Sequence, residues 1–233
     1  MVQRALWRDR RHAGQALAQQ LSAWSFQPNA LVIGLPRGGV VVAAEIAQRL
    51  GLPLASWAVR KLAHPRAPEL ALGAIAPGGV LIWDEATTRA YGLDPLLQQR
   101  IVEEQRRELD RRQRRYGDPP LASLRRRPLL VVDDGVATGL TVKAALQSLH
   151  QATPSRLVLA VPVIDQRIAA ALRLQLDGLV ALAEVDDLWA VGAWYERFEP
   201  VSDTEVVNLL AACSGDRASS GAEPPRTERS DRF

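Results

Sequence analysis

The chain has 233 residues, 47% hydrophobic and 24% charged, with 16 Gly, 15 Pro, one Cys and a formal charge of +3. That length suits one large α/β domain or two small ones with a buried core, the lone Cys213 rules out a disulfide scaffold, and no apolar run approaches the roughly 20 residues of a membrane span. A pI near 9.5 suggests nucleic acid at first sight, but Lys61 and Lys143 are the only lysines and residues 100–127 hold ten Arg against five acids, so the basicity is local. Residues 1–11 are charged and lack the apolar stretch of a signal peptide, so a soluble, cytoplasmic protein is expected.

Asp9 to Trp24 reads as an amphipathic helix, with Ala13, Leu17, Leu21 and Trp24 at helical spacing. Ala30 to Gly34 suits a buried strand, the turn Leu35-Pro36-Arg37-Gly38-Gly39 follows, and Val40 to Leu50 is helical. Leu54 to Val59 is a second strand ending at Arg60-Lys61, and Ala63 to Leu70, with two prolines, reads as a loop. Short strands at 72–76 and 80–83 flank Pro77-Gly78-Gly79. Asp94-Pro95 is a helix start, with Asp as N-cap and Pro at the first position, and the charged helix it opens runs to about Tyr116.

Leu129 to Val132 is the clearest buried strand, followed by a helix over 141–149. A strand at 157–162, a helix at 167–174 and a strand at 179–184 continue the alternation. Ser202-Asp203-Thr204-Glu205 is a capping box opening a last helix, Glu205 to Ala212. Residues 214–233 lack apolar periodicity and read as a disordered tail. The expected organisation is therefore one unit over 1–213, carrying an inserted charged helix at about 95–116, and a tail over 214–233. Alternating strands and helices imply an α/β fold with a parallel twisted sheet flanked by helices. Ligands bind beyond the carboxyl ends of such strands, where three polar turns are expected: Pro36 to Gly39, Arg60 to His64, and Asp133 to Thr141.

The last of these carries the chemistry. Asp133 and Asp134 end a buried strand, and Gly135-Val136-Ala137-Thr138-Gly139-Leu140-Thr141 leads into a helix. Such a loop aims backbone N–H groups at an anion, helped by the helix dipole. The carboxylates would repel a phosphate but suit sugar hydroxyls, or a metal bridging sugar and phosphate. A phosphorylated ribose meets both demands. A lone Asp-Gly would read as an Asx turn capping the helix; two Asp, two Thr and a Gly tip the balance to a ligand site. There is no P-loop and no dinucleotide fingerprint.

The segment resembles the phosphoribosyl-pyrophosphate (PRPP) loop of type I phosphoribosyltransferases. Pro36-Arg37-Gly38-Gly39 is similar to that family's pyrophosphate loop and Arg60-Lys61 to its Arg-Lys pair, the likeness covering roughly Leu31 to Pro162. Leu35 to Gly39, Pro68 to Ile75 and Val191 to Tyr195 also resemble a subgroup of bacterial stand-alone or hydrolase-fused members. The resemblance implies a small hood over the sheet and a Mg²⁺-dependent transfer of ribose 5-phosphate from PRPP to a nitrogenous base or related acceptor, with pyrophosphate released. It implies that Asp133 and Asp134 hold the ribose hydroxyls and Mg²⁺. Gly135, Val136, Ala137, Thr138, Gly139 and Thr141 would hold the 5′-phosphate, and Arg37, Gly38, Gly39, Arg60 and Lys61 the pyrophosphate. The family often has a non-proline cis peptide before the paired glycines, here Pro36–Arg37. Ala137 stands where 6-oxopurine enzymes carry Asp, so the loop is closer to the adenine type, and Glu69 becomes the candidate for proton transfer.

Trp189, Trp194 and Tyr195 fall where the hood is expected, to stack on a base or to pack under the last helix. The Arg-rich helix has three readings: a solvated face held by Glu103/Arg107, Glu108/Arg112 and Asp110/Arg114 pairs, a nucleic-acid contact, or a cover for a dimer or active site. Nucleic acid and membrane are not expected as partners, and a homodimer is left open. The alternative function is a non-catalytic PRPP sensor that touches nucleic acid through that helix.

Overall fold

The computed structural model describes residues 5–215. Its strands are β1 (Leu31–Gly34), β2 (Leu54–Ser56), β3 (Arg60–His64), β4 (Ala67–Ala76), β5 (Val80–Trp83), β6 (Pro128–Val132), β7 (Arg156–Asp165) and β8 (Gly178–Val185). Its helices are α1 (Arg10–Gln20), α2 (Gly38–Leu50), α3 (Glu85–Ala90), α4 (Pro95–Tyr116), α5 (Leu140–His150), α6 (Gln166–Arg173) and α7 (Asp203–Gly215). The tail expected over 214–233 lies, from residue 216 onward, outside the described residues, and 214–215 continue α7.

The central sheet has the order β2-β1-β6-β7-β8, every neighbouring pair parallel. Because side chains alternate along a strand, β1 and β6 feed two cores at once. Leu31, Ile33, Leu129 and Val131 pack on α5 and α6, while Val32, Leu130 and Val132 pack on α1, α2 and α7. This is why residues 129–132 read as an unbroken apolar run: a parallel strand is covered on both faces. Each such fully buried Leu or Val contributes about 1.5–3 kcal/mol.

The second sheet, β3-β4-β5, is antiparallel. One face packs on α5 through Ala74, Ala76 and Val80, and the other on α4 through Leu62, Leu72 and Ile75. Here the structure corrects the expected elements. The strand expected over 54–59 leaves the parallel sheet after Ser56, because Asp118 takes the Ser56 hydroxyl at 2.5 Å and the Ala58 N–H at 2.6 Å. Arg60–His64 is therefore a strand of the second sheet and not a turn. The loop expected over 63–70 is largely a hairpin. Pro68 is tolerated in β4 because it lies beyond the β4–β5 pairing, where the β3–β4 register shifts.

α4 begins as expected, Asp94 capping the Leu97 N–H at 2.8 Å with Pro95 next, and ends at Gly117 in the left-handed region. It is not solvated all round: Ile101, Val102, Leu109, Arg112 and Tyr116 are buried. Of the three i,i+4 pairs, only Glu108–Arg112 forms an ion pair among the described residues. Arg107 Nε instead reaches the Glu103 carbonyl at 3.4 Å.

Candidate functional site

β1 and β6 are parallel neighbours, so their carboxyl ends deliver Leu35–Gly39 and Asp133–Gly139 to one edge of the sheet. The junction is close, with Leu35 N–H donating to Val132 O at 2.9 Å. The Pro36–Arg37 peptide is cis, as the resemblance implied. Gly38 and Gly39 form the opening turn of α2, which no side chain caps. A Cβ on Gly39 would stand 2.8 Å from both Asp133 Oδ1 and Val132 O, and a Cβ on Gly38 would fall on the Asp134 carboxylate. Glycine at both positions is what lets the acid pair rest against the positive end of α2.

Both carboxyls are held above the usual range. Asp133 is raised mainly by burial and then by the neighbouring Asp134 charge, against the Asp134 N–H that its Oδ1 accepts at 2.9 Å. Asp134 is raised by burial, opposed by Arg10, whose Nε donates to Asp134 Oδ2 at 2.6 Å. Arg10 also donates to Glu199 O at 2.9 Å and lies 3.6 Å over the Phe198 ring. Tyr195 completes the clasp: its hydroxyl donates to Asp134 O at 2.6 Å, and its ring packs on Trp7 and Phe198. Burial, with the adjacent aspartates, pushes the Tyr195 hydroxyl pKa up. The hood is thus the N-terminal segment and residues near 188–198 closed over the acid pair. Tyr195 packs within it, whereas Trp189 is 86% exposed.

In the loop after β6, Gly139 adopts φ +71° and stands as the N-cap of α5, with no side-chain cap. The first turn of α5 therefore offers backbone N–H groups beside Thr138 and Thr141. Val136 departs from its expected role. Its N–H donates to Val163 O and its carbonyl accepts from Asp165 N–H, both at 2.9 Å, and its side chain is buried. Val136 anchors the loop to β7 and has no N–H left for a ligand.

Of the remaining candidates, Arg37 is exposed beside the glycines. Arg60 closes its fork on Gln105 Oε1 of α4, at 2.9 and 2.7 Å. Lys61 alternates to the other face of β3, and its Nζ donates to Pro68 O at 2.8 Å. Arg60 and Lys61 thus do not converge as a pair. Glu69, on β4, lines a cavity of about 570 Å³ together with Thr138, Lys143 and Asp84. Among the described residues no three His, Cys, Asp or Glu groups converge on a metal position.

Sequence reasoning missed Arg10, which lies 124 residues from its partner in an ordinary helical repeat; it paired Arg112 with Glu108, as the structure does, but no local pattern marks the burial of Arg112. Tyr195 carried a signal, the Val191 to Tyr195 likeness.

The phosphoribosyl transferase domain model matches residues 9–177. A curated Mycobacterium tuberculosis protein named "Putative phosphoribosyl transferase Rv0571c" is 40% identical over 218 residues, 93% of this chain and 49% of that protein. The chain thus spans about half the length of the curated relatives it matches. The crystal structure of TT1426 from Thermus thermophilus superposes with a TM-score of 0.68 at 40% identity, covering 90% of this chain and 99% of that one. The structure of AQ2163 from Aquifex aeolicus, at 9% identity and a TM-score of 0.50 over 78% of both chains, is similar in fold alone. Residues 9–177 take in the glycine turn, the acid-ended strand and the loop into α5, and by that match the chain belongs to the phosphoribosyl transferase domain family.

Proposed function

We propose that the protein is a cytoplasmic, Mg²⁺-dependent phosphoribosyltransferase that moves ribose 5-phosphate from PRPP to a nitrogenous acceptor and releases pyrophosphate. The observation that carries this reading is the seating of Asp133 and Asp134 on the Gly38–Gly39 turn, beside the uncapped start of α5. The turn receives the pyrophosphate with Arg37 and Arg60, while Lys61, bonded to Pro68 O on the other face of β3, stays outside it. Gly135, Ala137, Thr138, Gly139 and Thr141 receive the 5′-phosphate. Asp133 and Asp134 accept the ribose hydroxyls.

Two adjacent carboxylates also fit Mg²⁺, which binds through one or two carboxylates and completes its shell with substrate oxygens. When bound, the ion neutralises charge on the diphosphate. The bond from ribose C1 to the diphosphate oxygen breaks with its electron pair leaving on the oxygen, and the ring carbon takes up positive charge. Arg37 and Arg60 stabilise the departing anion. The acceptor nitrogen then bonds to C1, and Glu69, in the cavity next to Thr138, takes its proton.

One observation favours a second reading, a non-catalytic PRPP-binding regulator: Arg10 already occupies the Asp134 carboxylate. Isothermal titration of the full chain with PRPP and Mg²⁺ tests what the two readings share. Binding is expected in the wild type and lost in Asp133→Ala and Asp134→Ala; wild-type silence sinks both. Pyrophosphate release over a panel of nitrogenous bases then separates them, and tight binding with no release selects the regulator.

A further inference from the structure

We propose that α4 supplies a further diphosphate ligand, Arg112, so that the pyrophosphate side of the site is completed within one chain by the Arg-rich helix. This rests on the PRPP-site reading above. Gln105, Glu108, Arg112 and Tyr116 follow one another at spacings of three and four, so they share a single face of the helix. That face is turned inward, yet its second half carries polar groups where a merely structural helix would carry aliphatic ones. Gln105 holds the Arg60 fork. Tyr116 donates its hydroxyl to Asp203 Oδ1 at 2.6 Å, and Arg37 NH1 lies 3.9 Å from the same oxygen. The face therefore touches, directly or through Asp203, both arginines assigned above to the pyrophosphate, Arg60 on β3 and Arg37 at the glycine turn.

Arg112 sits between these contacts. Its side chain is 11% exposed, whereas those of Arg111 and Arg115 are 42% and 45% exposed. Its Nε donates to Glu108 Oε1 at 2.8 Å. No described residue takes up its two terminal nitrogens, and Thr88 Oγ1 is the one fully buried side-chain polar atom left without a partner among the described residues. The terminal nitrogens are thus unpaired among the described residues without being fully buried.

Charge gives the same indication. Arg37, Arg60, Arg111, Arg112 and Arg115 share two carboxylates, Glu108 and Asp203. Arg60 feels the excess: burial first, then the Arg112 and Arg37 charges, push its pKa down. Half-buried like charges are costly without a counter-anion. A diphosphate is the multiply charged anion that planar guanidinium forks bind well.

The test compares Arg112→Gln, Arg112→Lys and the exposed control Arg107→Gln by isothermal titration of the full chain against three probes: PRPP with Mg²⁺, inorganic pyrophosphate with Mg²⁺, and ribose 5-phosphate. Glu108 keeps Arg111 in the Gln variant, and thermal melts confirm folding. Arg112→Gln is expected to weaken PRPP and pyrophosphate about 10–100-fold, the loss of one or two hydrogen bonds to a charged group, with ribose 5-phosphate unchanged. Arg112→Lys, which retains charge but not the fork, should recover part of the loss, and Arg107→Gln should match the wild type. Undiminished pyrophosphate binding in Arg112→Gln, equal weakening of all three probes, or the same loss in Arg107→Gln overturns the proposal. A wild type that binds neither PRPP nor ribose 5-phosphate overturns the site reading itself.

Discussion

Among the described residues Asp133 forms no ion pair: it lies against Asp134, and the Arg10 guanidinium bonded to that neighbour offsets its burial only in part. Ionising it at neutral pH opposes folding, and the same property leaves it poised for a ligand. Asp133→Asn should therefore abolish PRPP binding while raising the melting temperature by ~2–4 °C, the shift expected for 1 kcal/mol in a chain of this size; calorimetry with and without ligand reads both. Gly39→Ala acts oppositely. The added methyl meets Val132 O and Asp133 Oδ1 at 2.8 Å, so about 1–3 kcal/mol of stability should be lost on urea denaturation, with PRPP affinity falling alongside. Asp133, Gly38 and Gly39 were legible because their neighbours in sequence are also their neighbours in space, where a strand end meets a helix start. The burial of Arg10 and Arg112 was not, because a charged side chain is buried by what folds onto it: Arg10 opens a helix read as amphipathic, and Arg112 lies on one for which a solvated face was among the readings.

At the level of elements, Asp118 decides where the parallel sheet stops. It follows α4 and grips the end of β2, so it aligns the Arg-rich helix with the strand that carries Arg60. Burial pushes its carboxyl up to about 6 from 3.8, against the Ser56 and Ala58 hydrogen bonds. A carboxyl raised on folding favours the native state most below its unfolded value, and stability falls as pH rises from about 4 through 6. Asp118→Asn keeps an acceptor for the Ala58 N–H without the charge. Its stability advantage in urea melts should be near zero at pH 4 and approach about 3 kcal/mol above pH 7; an advantage independent of pH would contradict this account. The alternation of central strands and helices was readable from apolar runs, since burial on both faces leaves an unbroken signature. In the second sheet β5 and the end of β4 were readable as the short strands at 72–76 and 80–83, but β3 and the start of β4 were not, because they carry polar residues such as Lys61 and Glu69 and pair across a register shift.

Across the whole molecule, the described chain is closed by an ion pair between residues far apart in sequence. Arg10 and Asp134 have side-chain exposures of 11% and 17%, low enough that removing one partner strands a charge. Arg10→Gln should cost about 3 kcal/mol, and the double variant with Asp134→Asn should recover much of it. A double-mutant cycle measured by chemical denaturation checks the coupling. Among the described residues no helix is long and apolar enough to cross a membrane, and the ring of contacts from α1 to residues 194–199 holds the hood in place over the sheet edge.

That ring also has an optical consequence. Leu6 and Trp7 both donate their N–H groups to Trp194 O, and the Trp7 ring lies 5.6 Å from Tyr195, the residue bound to the Asp134 carbonyl. Trp7 is thus one aromatic ring away from the acid pair, and buried. Its emission should change when PRPP and Mg²⁺ fill the site, over the background of the other five Trp residues. The difference between the wild type and Trp7→Phe on titration isolates that change from any contributed by Trp83, which lines the cavity with Glu69, so the protein carries its own fluorophore for following ligand entry without a label.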